Sequence, residues 1–159
     1  MKKVQAWTDG SSLGNPGPGG YGAVLLFVDE EGCEHQRELS GGFKKTTNSR
    51  MEIMGVVATL EALKESVSIT ITSDSKYVVD AISKGWLDSW VKRGWKKADK
   101  KKVLNKDLWE RVLDLRSKHD LEMKWVKGHA GHPMNERCDE LAKQAAMGEN
   151  LPEDLGYKG

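Results

Sequence analysis

The 159-residue chain is 38% hydrophobic and 31% charged, which suits one globular domain able to bury a core without staples and excludes a disordered chain. Its two cysteines, Cys33 and Cys138, form no C-x-x-C, no apolar run nears the roughly 20 residues of a bilayer span, and MKKVQAWTDG lacks a signal-peptide core; a cytoplasmic protein with no membrane association is expected. The net charge of +1 conceals a basic segment, KRGWKKADKKK at 92–102, holding seven of 25 Lys/Arg but one of 24 Asp/Glu, which leaves 18 basic against 23 acidic residues elsewhere.

Lys3–Thr8 alternates as a strand and runs into Asp9-Gly10, and residues 14–20, GNPGPGG, carry turn chemistry. Tyr21–Val28 and Glu34–Phe43 read as two further strands, completing a meander, and Lys44–Asn48 as a polar loop. Apolar spacing predicts a helix from about Met51 to Glu65, and β-branched residues a strand at Ser68–Ser73. A helix at Ser75–Ser83, a Trp-bearing segment, the basic loop, a helix at Asp107–Lys118, a strand at Glu122–Val126 and a helix at Met134–Met147 follow. The order predicts an α/β fold with a mixed five-stranded sheet and helices on both faces. Residues 1–147 are expected to form one domain and 148–159 a loosely held tail.

Gly17-Pro18-Gly19-Gly20-Tyr21-Gly22 matches G-x-G-x-x-G literally. A dinucleotide site needs that motif to open a helix, whereas here it opens a strand and contains a proline, so it reads as a turn.

Asp9 and Asp74 each stand at the carboxyl end of an apolar strand. If a crossover helix makes those strands parallel neighbours, their ends lie about 4.8 Å apart and both carboxylates face the crevice where open α/β sheets bind ligands. Glu52, early in the following helix, and Asp139, early in the last one, are candidates to complete a cluster suited to Mg²⁺, which prefers oxygen ligands. Each has a plainer reading. Asp9-Gly10 fits a hairpin turn, Ser49-x-x-Glu52 a capping box, Asp74 a helix cap, and Asp139 an i,i+4 partner of Lys143. Spacing alone does not bring the four together. For the basic segment the plain reading is a solvated loop; Trp86, Trp90 and Trp95, interleaved with or beside its charges, favour a surface on which nucleic acid stacks.

Through TDGSSLGNPGPGGYGA, TTNSRMEIM, TSDSKYV, KRGWKKADKK, NKDLW and WVKGHAGHPMNERCDELA, the chain resembles bacterial type 1 ribonuclease H over almost its whole length. That resemblance implies a ribonuclease H-like sheet of a three-strand antiparallel meander plus two parallel strands. It implies a monomeric endonuclease that cuts the RNA strand of RNA–DNA hybrids by two-metal-ion hydrolysis, leaving 5′-phosphate and 3′-hydroxyl ends. The positions matching Asp9, Glu52, Asp74 and Asp139 bind two magnesium ions, for which manganese can substitute, and His129 is a catalytic-assist histidine, with His132 a nearby competitor. Asn15, Thr47 and Asn48 should meet the hybrid's minor groove or phosphates, where 2′-hydroxyls distinguish RNA from DNA. The segment carrying Lys92, Arg93, Lys96, Lys97, Lys100 and Lys101, with Trp86, Trp90 and Trp95, should grip the DNA strand. Ser12, Ser49 and Lys76 depart from common usage (often Cys, Asn and Gln); Lys76 adds charge beside the active site as a further substrate contact. Two rivals remain. A non-catalytic hybrid-binding module has no use for four converging carboxylates, and a junction resolvase has none for the asparagine-rich groove residues.

Overall fold

In the computed structural model, which describes residues 2–128 and 131–158, the chain opens with three long strands, β1 (Lys2–Ser12), β2 (Gly17–Val28) and β3 (Glu34–Thr46). Helix α1 (Asn48–Glu61), strand β4 (Val67–Ser73), helices α2 (Lys76–Ser83), α3 (Trp86–Lys92) and α4 (Lys106–Arg116), strand β5 (Asp120–Trp125) and helix α5 (Pro133–Ala146) follow. The sheet order is β3-β2-β1-β4-β5. β2 is antiparallel to both β1 and β3, while β4 is parallel to both β1 and β5: a mixed sheet, as the element order predicts, with the meander and parallel pair that the family resemblance implies.

Strand alternation sorts side chains onto two faces. Val4 and Ala6 of β1, with Ala23 and Leu25 of β2, meet Ile53, Val56 and Val57 of α1 and Trp109 and Val112 of α4 in the main core. Trp7 and Val24 turn the other way, against Cys138 and Leu141 of α5. Full burial of each large apolar side chain contributes about 1.5–3 kcal/mol, so both helical layers are held by the sheet between them.

Four expectations change. Gly17–Gly20, read from sequence as a turn, lie inside β2, and the turn is confined to residues 13–16. A Cβ at Gly20 or Gly22 would run into the backbone oxygens of Ala142 or Cys138, so these glycines let α5 lie directly on the sheet. α1 begins at Asn48, where Thr47 caps it by accepting from the Arg50 N–H, and ends at Glu61, so both ends lie earlier than its apolar spacing predicts. Trp90, expected on the nucleic-acid surface, is 6% exposed and packs edge-on against Trp109, with ring centroids 5.7 Å apart. The tail, expected to be loosely held, is tied to the body: Lys44 N–H donates to the Pro152 carbonyl at 2.9 Å, and Asp154 pairs with Arg50.

Candidate active site

Parallel pairing of β1 with β4 ends at Thr8 opposite Ser73, so the next residues, Asp9 within β1 and Asp74 just past β4, stand side by side. α1 brings Glu52 to them, and Gly10 is the reason it can. A Cβ at Gly10 would collide with the backbone of Met51 and Glu52, so only glycine lets the helix dock on the strand end. Carboxylate oxygens of Asp9, Glu52 and Asp74 lie within 4.8 Å of one another. Asp139 lines the same crevice from α5, together with Gly10, Asn135 and Glu136.

The plainer alternatives separate at this point. Asp9-Gly10 sits within a continuous strand, not a hairpin turn. Thr47 and not Ser49 caps α1, so no capping box engages Glu52, and Ser75 and not Asp74 caps α2. The Asp139–Lys143 pair does form, at 2.9 Å, and coexists with Asp139's place at the crevice.

Crowding of buried like charges shifts the titration of this cluster. Asp9, 5% exposed, is pushed up to about 7, chiefly by burial and next by the charge of Asp74, against a 2.9 Å hydrogen bond donated by Gly10 N–H. Glu52 is held well above the usual carboxylate range by burial, then by the charges of Asp9 and Asp74. Its Oε2 is buried without a hydrogen-bond partner, as is Oδ1 of Asn135. Buried acceptors left without donors beside crowded carboxylates fit a hard cation, which would satisfy the oxygens and offset the repulsion. The neighbouring Cys138 thiol is pushed up to about 12 by burial and by the charge of Asp9, so it stays protonated, lying 3.1 Å from the Trp7 carbonyl oxygen.

Flanking this crevice, Asn15, Ser12 and Asn48 interlock. Ser12 donates to Asn48 Oδ1 through its N–H at 2.8 Å and its hydroxyl at 3.0 Å, and Asn48 N–H donates to Asn15 Oδ1 at 3.0 Å. Ser12 thus orients Asn48. Thr47 is half-buried and its hydroxyl serves as the α1 cap. On the other side, Trp125 donates its indole N–H to the Asp74 carbonyl at 3.1 Å, and Lys76 Nζ lies 5.7 Å from the Trp125 ring centre.

Beyond α3 the basic segment folds into a tight reversal, with Lys96 bridged to Lys102 and Lys97 N–H donating to the Lys101 carbonyl. Lys92, Arg93, Lys96, Lys97, Lys100 and Lys101 are all exposed, as is Trp86 at 38%. Trp95 is half-buried and packs on the core, so it roots the projection. His129 lies outside the described residues; His132 is exposed at the start of α5.

Sequence reasoning passed over Gly10, Asn135, Trp125 and Arg50. Asn135 carried a usable signal, standing four residues before Asp139 and so on the same helix face.

A model of the RNase H family matches residues 1–147. A ribonuclease H of Lachnoclostridium phytofermentans is 54% identical over 153 residues, 96% of this chain and 97% of the relative. The crystal structure of LC9-RNase H1, a type 1 RNase H with the type 2 active-site motif, is similar with a TM-score of 0.83 and 32% identity over 92% of this chain and 72% of that one. LC11-RNase H1 in complex with RNA/DNA hybrid shares the fold, with a TM-score of 0.63 and 22% identity over 90% of this chain and 96% of that one.

Proposed function

Because the chain belongs to the RNase H family and is a ribonuclease H, a metal-dependent hydrolase of the RNA strand of RNA–DNA hybrids, we propose that Asp9, Glu52, Asp74 and Asp139 are its metal-binding and catalytic residues, with two magnesium ions as cofactor. One observation carries this reading: three carboxylates with oxygens within 4.8 Å, one oxygen buried and unpartnered, at the carboxyl edge of a parallel strand pair. When bound, magnesium would supply Lewis-acid activation of water and charge stabilisation at the cleaved phosphodiester, leaving 5′-phosphate and 3′-hydroxyl ends.

The protein's own share is placement. Asn48, oriented by Ser12, and Asn15, which accepts from the Asn48 N–H, meet the minor groove, where 2′-hydroxyls mark the RNA strand. The exposed lysines of the projection neutralise phosphates of the DNA strand. Lys76, beside Trp125 and Asp74, faces a phosphate near the cut, and His129 carries a proton during turnover or product release. One chain supplies all these parts, which supports a monomer. No described helix is long and apolar enough to cross a membrane.

Incubation of the enzyme with labelled hybrid, RNA duplex and DNA duplex, each with magnesium or chelator, tests the reading. Cutting of the hybrid's RNA strand in magnesium alone is expected. Comparable cutting of the RNA duplex, or of hybrid in chelator, would overturn the substrate and cofactor assignments respectively.

A further inference from the structure

Arg50 points away from the carboxylate crevice, although it is two residues from Glu52. It is 2% exposed, and its guanidinium ties three parts of the chain together: its own start of α1, the start of α4 and the tail. Nε and Nη2 donate to Asp154 of the tail at 2.6 and 2.9 Å. Nη1 and Nη2 donate to Asp107 of α4 at 2.9 and 2.7 Å, and Nη1 also reaches Asn105 Oδ1 at 3.3 Å. These contacts engage the full N–H fork of an arginine. Asp154 in turn accepts from the buried Thr46 hydroxyl at 2.7 Å. A Cβ at Gly156 would run into Asp107, so the tail backbone lies directly over the ion pair.

The three parts matter because of what each adjoins. Thr46 and Arg50 bracket Thr47 and Asn48 at the start of α1. Asn105 and Asp107 stand at the start of α4, where the chain returns from the basic projection through the buried Val103, whose N–H donates to the Trp95 carbonyl at 3.0 Å. A doubly paired, fully hydrogen-bonded guanidinium in a buried site has one geometry, and removing Asp154 leaves Asp107 as its counter-charge but takes the acceptor from two guanidinium N–H groups and from the Thr46 hydroxyl.

We propose that Asp154 is a positioning residue for hybrid binding: acting through Arg50, the C-terminal tail sets the spacing between the groove residues Thr47 and Asn48 and the root of the DNA-gripping projection. This rests on the reading of those residues as substrate contacts. A hybrid spans both sites at once, so a small change in their separation weakens binding at one or the other. Asp9 and Asp74 are held by β1 and β4, which this strap does not touch, and Glu52 is pinned by the contact of its own backbone with Gly10, so KM should move well before kcat.

The experiment is steady-state kinetics of the full-length enzyme on a defined hybrid in saturating magnesium, well below each variant's melting temperature. Asp154→Ala should raise KM about tenfold, the effect of losing roughly one charged hydrogen bond, with kcat within about twofold. Asp154→Asn, which keeps an acceptor, should fall between and covers the case in which the alanine variant fails to fold. Asn48→Ala should also raise KM, and adding Asp154→Ala to it should cost less than the two losses combined. Glu61→Gln breaks the other α1–α4 pair, Arg111 with Glu61, far from the groove, and should leave KM alone. The proposal is overturned if Asp154→Asn and Asp154→Ala leave KM unchanged, if the two losses simply add, or if Glu61→Gln matches Asp154→Ala. An unmoved KM in Asn48→Ala alone would instead overturn the groove reading, and the strap with it.

Discussion

The carboxylate crevice and the basic projection carry opposite charge and differ in burial: Asp9 is buried and its neighbours half-buried, while the lysines are exposed. In the crevice, Asp9, Glu52 and Asp74 are forced together by strand pairing and by the Gly10 contact, and their repulsion shows as raised carboxyl titration. In the projection, lysines spread into solvent from a root made of Trp90, Trp95 and Val103, and water screens them from one another. Charge that is crowded and desolvated does chemistry at a fixed point. Charge that is spread and hydrated adds affinity without fixing geometry. The two regions should therefore respond to mutation in different currencies, kcat for the first and salt-dependent binding for the second.

The largest effect tests the crevice. Asp74→Ala should lower cleavage by about 10³-fold or more, since metal-based charge stabilisation is worth several kcal/mol. Metal-free stability should stay level or rise by about 0.5–2 kcal/mol, because a repelling charge has gone while the α2 cap, Ser75, remains. A destabilised, fully active variant would break the assignment.

That outcome separates two kinds of legibility. Asp9 and Asp74 were readable as a pair because each ends an apolar strand, and parallel pairing follows from the crossover helix. Their meeting with Glu52 and Asp139 was not, since it depends on how α1 and α5 dock on the sheet; the family resemblance supplied it. Gly17–Gly20 misread as a turn for a related reason. Glycine marks a missing Cβ, and whether φ or a neighbouring helix needs that space is a tertiary fact. Trp90 shares its sequence neighbourhood with the lysines, but the α3 turn sends its indole inward to Trp109. Arg50 was hidden in a motif, and its partners Asp107 and Asp154 are 57 and 104 residues away.

Next in size is His129, whose glycine-flanked segment suits a proton carrier. His129→Ala should lower kcat roughly 10²-fold with KM and melting temperature little changed, while His132→Ala alone should not. A matching loss in His132→Ala would move the role there. The projection comes third. Replacing Lys96, Lys97, Lys100 and Lys101 together with neutral residues should weaken hybrid binding about tenfold or more at moderate salt. It should also lower the log–log salt slope by up to about 0.9 per lost contact, with turnover at saturation unchanged. If affinity and slope both hold, the lysines are only a solvated surface and the contrast with the crevice loses one side.

The smallest effect sharpens the comparison without substrate. Asp9 titrates near 7 in the native protein, raised first by burial and then by Asp74, and Glu52 moves the same way; unfolded, such carboxyls titrate near 4. Between about pH 4 and 7 the native state therefore holds more protons than the unfolded chain, so metal-free stability should fall as pH rises. His119, held below its ordinary range by burial, contributes the opposite slope, because it favours the native state as it loses its proton. The difference between the native sequence and Asp9→Asn isolates the crevice. Asp9→Asn should flatten the decline, and magnesium should reverse it in the unmodified protein by binding the native state alone. Neutralising the four projection lysines should leave the slope as it was, since no carboxylate of the crevice depends on them. Denaturant melts in chelator and in magnesium at pH 4.5, 6 and 7.5 measure this. A metal-free decline that Asp9→Asn leaves intact would place the titrating charge elsewhere and remove the crowding on which the crevice assignment rests.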